Sequence, residues 1–179
     1  HSLKRLQRFL PEHIKLLLTK SLVLPHFNYC NSVINDMTIV LSEKLQRTQN
    51  YCIRYVYDVR REQHITPYYI QSNILKLKDQ RSIKILKLVH SILKFGIPRY
   101  FSEYFKSVSH VGVRSTRSGS YILRMPQHKT AVFDKSFHVM ACRLWNALPQ
   151  TVTSIDSSSR FVAKLKDMYL ERLAGAVPV

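Results

Sequence analysis

The sequence predicts a mainly α-helical fold, in which a helical bundle is followed by a small α-helical lobe with one or two short strands. Apolar residues recur at steps of three and four along most of the chain, which is the period of an amphipathic helix. The chain has only 4 glycines among 179 residues, fewer than the many tight turns of a β protein require. Its hydrophobic content of 45% is sufficient for a packed core.

Two helices are predicted at the start of the chain. The apolar period indicates a first helix at 12–24, which should stop at Pro25 because proline has no backbone N–H to donate. The type of the segment at 26–36 stays open. A second, long helix should begin at Ser42 and end near Asp58.

Two further helices complete the predicted bundle. Thr66 and Pro67 have the capping and first-position chemistry of a helix start, so a short helix is expected at 68–75. The most regular apolar stripe predicts a helix at 79–95. It should end at Gly96, since glycine readily adopts the left-handed conformation that closes a helix.

A long stretch without acidic residues follows the bundle. Its Ser, Gly and His content predicts a mobile loop at 107–120, and an extended run follows at 121–125. We therefore expect a domain boundary here, between a thumb-like helical bundle at 1–106 and a basic loop with a C-terminal helical lobe at 107–179.

The C-terminal lobe is expected to form around the only tryptophan. A helix at 133–148 would end before Pro149, and a last helix would run from about 161 until it frays at Gly175. Because the apolar residues of the first of these helices share one face, four residues are assigned to the structural core: Phe137, Leu144, Trp145 and Leu148.

The charge balance indicates a polyanionic partner. Lys and Arg number 28 against 11 acidic residues, a formal charge of +17. Nucleic acid is the commonest partner that relieves such self-repulsion; the alternative is a solvated basic surface without a specific partner. No apolar anchor flanked by lysines and no signal peptide is visible, so an intracellular protein, cytoplasmic or nuclear and not membrane-bound, is expected.

Two groups of basic and aromatic residues are candidate nucleic-acid contacts. Cations neutralise phosphates and release counterions, and tyrosines stack on bases. The first group, on the second predicted helix, is Lys44, Arg47, Tyr51 and Arg54. The second group, in and after the basic loop, is Arg114, Arg117, Arg124 and Lys129. Alternatively, the tyrosines border the core and the cations only solvate the surface.

The acidic residues form no catalytic pattern. A two-metal nuclease or polymerase needs converging carboxylates, whereas Glu62, Asp79 and Asp134 are interpreted as helix-start charges or local ion partners. The 3 cysteines and the histidines lack zinc-site spacing, so no metal or cofactor is expected. A nucleophile built from Cys142 and His138 at i and i+4 is a further hypothesis, although a thiol beside a core face is usually inert.

Several short segments follow one another in an order typical of one family. The most specific is Leu-Trp-Asn-Ala-Leu-Pro at 144–149. The others, weak singly, lie at 21–30, 45–50, 96–101, 114–117, 136–143 and 161–166. Together they resemble the C-terminal part of non-LTR, LINE-like retrotransposon reverse transcriptases of the jockey type.

The resemblance implies a thumb and post-thumb region, which in that family follows the palm with its catalytic aspartates. The chain would then be a piece of an RNA-directed DNA polymerase, or a degenerate copy. It would grip an RNA/DNA duplex or template RNA, with the palm and fingers as further partners, and would not be an enzyme on its own. This piece would hold no cofactor, and the parent polymerase would use Mg²⁺.

Two functions of other classes stay open at this point. One is a non-catalytic protein-interaction module, or an inactive transposon relic, whose aromatic residues dock a protein while the charge maintains solubility. The other is a hydrolase that uses Cys142 as its nucleophile. A steep salt dependence of binding would indicate nucleic acid, since an apolar docking surface responds little to salt.

Overall fold

The computed structural model describes residues 2–29, 37–107, 122–127 and 129–175, and these are mainly helical, which confirms the predicted fold class. The helices are α1 (Ser2–Arg5), α2 (Glu12–Leu18), α3 (Leu24–Asn28), α4 (Ile39–Tyr57), α5 (Thr66–Gln71), α6 (Leu77–Phe95), α7 (Ala131–Asp134), α8 (Phe137–Asn146), α9 (Gln150–Thr153) and α10 (Ser158–Gly175). A π-helical turn covers Thr19–Val23 and a 3-10 turn covers Arg99–Phe101. Within the described ranges, extended pairing is limited to one antiparallel bridge between Ser107 and Leu123.

The described residues divide into two compact units. Unit one comprises 2–29, 37–80 and 168–175, and unit two comprises 81–107, 122–127 and 129–167. This division differs from the predicted boundary between 106 and 107. It falls inside α6 and inside α10, where no proline, glycine or loop composition marks it in the sequence.

Pro25 does not end the first helical segment, contrary to the prediction. The π-helical turn after α2 leads directly into α3, and Pro25 lies in the first turn of α3. A proline is tolerated there because the first N–H groups of a helix have no intrahelical acceptor. The π-helical turn shifts the helical register just before Pro25 and so accommodates the proline. The period of apolar residues does not reveal this shift.

The ends of α4 and α6 test the capping predictions. α4 begins earlier than expected: Thr38, not Ser42, is its N-cap, and the Thr38 hydroxyl accepts a hydrogen bond of 3.4 Å from the N–H of Leu41. α4 ends at Asp58, as predicted, where the backbone is left-handed with φ 52°. Gly96 has φ 64° after the last residue of α6, which confirms the predicted stop.

A buried polar network joins α4 to α5 in unit one. The Nε2 of Gln46 donates to the Tyr69 hydroxyl at 2.9 Å, and that hydroxyl donates to Oδ1 of Asn50 at 2.7 Å. Gln49, which is fully buried, donates to the carbonyl of Leu75 at 3.0 Å. Burial raises the pKa of Tyr69 well above its ordinary value, so it remains a neutral donor. Apolar packing continues the contact through Leu24, Ile53, Tyr69, Ile74 and Leu173.

A buried lysine forms an ion pair with the end of α4 in unit one. Lys15 is only 3% exposed, and its Nζ lies 2.5 Å from Oδ2 of Asp58. Gln7 donates to the other carboxylate oxygen of Asp58. These hydrogen bonds, that of Lys15 first, hold the pKa of Asp58 below its ordinary value. The ion pair therefore ties the left-handed end of α4 to α2.

Asp58→Asn should destabilise unit one by about 1–3 kcal/mol at neutral pH, because it leaves a buried ammonium without its carboxylate. The exposure of Asp58 limits the loss of stability, and asparagine tolerates the left-handed backbone of this position. Since the folded-state pKa of Asp58 is lowered, its stabilising effect is present at neutral pH and lost as pH falls through that pKa.

Urea denaturation of both proteins at a series of pH values measures this difference. The two curves should converge at acid pH. Asp167→Asn, which removes an exposed carboxylate of α10, is the control for the change in net charge. A difference that persists below the folded pKa of Asp58 would contradict the electrostatic explanation.

The core of unit two is built around Phe161. The ring of His90 stacks on it with centroids 4.3 Å apart, and Trp145 lies at 5.9 Å. A ring nitrogen of His90, Nε2, lies 2.7 Å from the carbonyl oxygen of Ile155. His90 and Phe161 are fully buried and Trp145 is 2% exposed. Trp145 is thus a core residue, as predicted.

The other predicted core residues of the Trp145 helix, Phe137, Leu144 and Leu148, are only half-buried. The buried face of α8 consists of Val139, Ala141, Cys142 and Trp145. The predicted continuous helix is also divided, because the hydroxyl of Ser136 caps a new start after α7. The helix is therefore rotated from the predicted orientation, because Val139 and Cys142, which were not on the predicted face, are small enough for close packing and are buried.

Candidate nucleic-acid interface

The first predicted group of contacts forms one stripe along α4. Its members Lys44, Arg47, Tyr51 and Arg54 follow each other at steps of three, four and three, so the helix places them on one side. The buried residues of α4, Gln49, Ile53 and Val56, lie on a different face. From Lys44 to Arg54 the stripe extends about 15 Å along the axis, a length over which a duplex carries about 9 phosphates.

The N-terminal half of the α4 stripe is exposed. Lys44 and Arg47 are both exposed, and the Arg47 guanidinium lies 3.4 Å from the Glu43 carboxylate. Such a solvent-exposed i,i+4 pair is worth only about 0.3–0.5 kcal/mol, so it does not prevent Arg47 from contacting a phosphate. The Tyr51 ring, 56% exposed, is accessible for stacking.

Arg54 also has a structural role, in the loop after α4, that the sequence pattern does not reveal. Its Nη1 donates to the carbonyl of Arg60, and its Nη2 donates to the carbonyl of Gln63 at 2.9 Å. Arg54 therefore holds the loop that follows α4. Both acceptors are neutral carbonyls, and no carboxylate of the described chain pairs with Arg54, so its positive charge is not compensated.

Arg61 adds a cation to this surface that was not among the predicted contacts. It lies on the loop that Arg54 holds, and its Nη2 donates to the Tyr51 hydroxyl at 3.3 Å. Because Arg61 lies in a loop, the helical period of the sequence does not identify it as a contact. Its positive charge and its closeness to α4 in the sequence are the signals that could have done so. The Arg61–Tyr51 contact places a further cation beside the C-terminal end of the α4 stripe.

Only part of the second predicted group can be placed. Arg114 and Arg117 lie outside the described residues. Arg124 and Lys129 are exposed and belong to unit two, whereas the α4 stripe belongs to unit one. Each group therefore belongs to its own unit.

Asn146 fixes the backbone next to Arg124. Its amide accepts a hydrogen bond of 2.8 Å from the N–H of Leu123 and donates one of 2.9 Å to the carbonyl of Leu123. On the next residue, the N–H of Arg124 donates to the carbonyl of Lys106 at 3.0 Å. Asn146, the neighbour of Trp145, thus holds the segment that carries Arg124.

Cys142 and His138 are each engaged with backbone groups. The Sγ of Cys142 lies 3.7 Å from the carbonyl oxygen of Arg124, and Nε2 of His138 lies 2.7 Å from that of Tyr104. Burial raises the pKa of Cys142 to about 11, so the thiol is protonated at neutral pH. These surroundings are those of a packing residue, because a nucleophilic cysteine requires a thiolate.

Two of the acidic residues singled out in the sequence, Asp134 and Asp79, have cationic neighbours. Asp134 lies 2.8 Å from a guanidinium nitrogen of Arg143. Burial raises the pKa of Asp79, against the opposing effect of Arg172. Glu62 is exposed. Among the residues that the structure places, no three His, Cys, Asp or Glu side chains are grouped as a metal site would require.

No protein-family model, curated protein or solved structure matched this chain in sequence or structure comparisons. Within the described part of the chain, none of the helices combines the length and the apolar character that a membrane crossing demands.

Proposed function

We propose that this chain is the thumb and post-thumb part of a non-LTR retrotransposon RNA-directed DNA polymerase, and that it grips an RNA/DNA duplex or the template strand without reading its sequence. The observation that carries the proposal is the α4 stripe, in which cations and an exposed tyrosine share one face of a well-anchored helix. Catalysis would belong to a palm domain elsewhere in the polymerase.

The physical properties of the stripe support backbone recognition. Lysine and arginine side chains contact phosphates irrespective of base sequence, and RNA-containing duplexes are recognised mostly by shape and backbone. The polar network behind α4 and the ion pair of Lys15 with Asp58 hold the helix in place. The stripe is therefore pre-organised, which reduces the entropy that binding costs.

A protein-interaction module is the second candidate, and four exposed apolar side chains of unit two favour it. Phe95, Ile97, Tyr100 and Tyr104 are between 54% and 71% exposed. Exposed aromatic and aliphatic side chains of this kind are typical of docking sites.

A salt series distinguishes the two functions. Fluorescence anisotropy of a labelled RNA/DNA primer–template should give a log–log plot of affinity against salt with a slope of about −3 or steeper, since each phosphate contact contributes about −0.9 for a DNA duplex. A flat plot, or no binding, would contradict the proposal and favour protein docking.

A further inference from the structure

A cleft of 590 Å³ opens in unit one beside the C-terminal end of the α4 stripe. It is lined by residues from α1, the π-helical turn, α4 and the loop that follows α4. Its volume lies within the range of about 300–1,000 Å³ that is usual for small-molecule sites. Tyr51 and Arg54 line this cleft and also belong to the stripe, so a ligand on the stripe has a direct continuation into the cleft.

The charge of the cleft is positive. Lys4, Arg54 and Arg61 line it, and its described lining includes no aspartate or glutamate. Cys52 is the other ionisable side chain besides tyrosine, and burial raises its pKa, so its thiol adds no negative charge at neutral pH. An apolar ligand would leave these cations without compensation, whereas an anionic group would neutralise them.

The cleft also offers aromatic rings. Tyr51 and Tyr55 are one helical turn apart on α4, and both line it. The Tyr51 ring is 56% exposed, whereas the hydroxyls of Tyr55 and Thr19 are closed to solvent. Thr19 begins the π-helical turn, a feature frequent at functional sites.

We propose that this cleft binds one unpaired nucleotide, with its base against Tyr51 and Tyr55 and its phosphate beside Lys4, Arg54 and Arg61. The inference deepens the proposed function and rests on it, because the nucleotide would be the one at which a single strand leaves the duplex held by the α4 stripe. A bare phosphate would not use the rings, and a base alone would not use the cations. A nucleotide uses both.

The experiment compares a blunt RNA/DNA duplex with the same duplex carrying a single-stranded template overhang. A fluorescent adenine analogue, 2-aminopurine, is placed at the first unpaired position, or inside the duplex as a reference. We expect tighter binding of the overhang duplex and a saturable fluorescence change for the unpaired position alone. Adenosine monophosphate and inorganic phosphate, each added alone, test whether a free ligand occupies the same cleft.

The variant Lys4→Gln changes a cation of the cleft that lies outside the α4 stripe. It should reduce the advantage of the overhang and leave blunt-duplex affinity unchanged. Tyr51→Leu should weaken the overhang-dependent signal by at least about 5-fold, whereas Tyr51→Phe keeps the ring and should retain the signal. Tyr29→Leu and Lys20→Gln change exposed residues of unit one that are not in the lining of the cleft, and should change neither the overhang advantage nor the blunt-duplex affinity. A melting curve of each variant verifies folding.

The outcomes separate the cleft from the stripe. The protein could bind the blunt duplex but show no overhang advantage, no fluorescence change and no nucleotide binding. That result overturns the cleft proposal and leaves the proposed function standing. Absence of all nucleic-acid binding overturns both. An equal loss in Tyr29→Leu also overturns the cleft. If adenosine monophosphate competes as strongly as the overhang binds, the cleft is supported and a free nucleotide is its ligand. If the overhang binds without such competition, the ligand of the cleft is the single strand.

Discussion

Replacing Trp145 with alanine is expected to destabilise unit two by about 3–5 kcal/mol, the range for removing a large aromatic side chain from a core. Trp145 is 2% exposed and packs 5.9 Å from the fully buried Phe161. The truncation would leave a cavity beside Phe161 and His90, and rigid neighbours would fill it only partly. Thermal and urea unfolding measure the loss.

Two further variants define what the Trp145 result means. Trp145→Phe keeps an aromatic contact with Phe161 and should lose clearly less stability than the alanine variant. Val132→Ala changes a residue that is 78% exposed and should have little effect. A Trp145→Ala protein that melts like the wild type but no longer binds nucleic acid would place Trp145 in the contact surface instead of the core.

Charge removal at Lys44 and Arg47 together is expected to have the largest effect on nucleic-acid binding. The double variant Lys44→Gln with Arg47→Gln should weaken the binding of a blunt RNA/DNA duplex by about 30-fold at about 0.15 M salt and flatten the salt slope by about 2, if each cation contacts one phosphate. Both side chains are exposed, so the fold should be retained. Arg54 is excluded from this test because its variant would also release the loop after α4.

The matched control is the double variant Arg8→Gln with Lys20→Gln, which changes the net charge by the same amount at exposed positions of unit one. Its affinity and salt slope should stay close to those of the wild type. Equal losses in both double variants would mean that the total charge of the chain attracts the duplex and that the α4 stripe has no special position.

Several elements could be predicted because their causes are local. The period of apolar residues predicted α4 and α6, and Gly96 marked the end of α6 through its own backbone freedom. The steps between Lys44, Arg47, Tyr51 and Arg54 depend only on helix geometry. The burial of Trp145 followed from its size and its apolar neighbours.

Other features depend on residues distant in sequence. The orientation of α8 is decided by what packs on it, and so Phe137 and Leu148 became half-buried while Cys142 became fully buried. The Gln46 and Gln49 amides appear polar and unremarkable in the sequence, yet they bond to Tyr69 and to the backbone of Leu75.

The sequence by itself determined that the chain is helical, strongly basic and equipped with one cationic stripe, because helix period and net charge need no knowledge of long-range contacts. The tertiary structure alone decided where the units divide, which face of α8 is buried, and that Lys4, Thr19 and Arg61 meet Tyr51 and Tyr55 around one cleft. Those residues come from separate segments that approach each other only when the chain folds, so no local pattern could have brought them together.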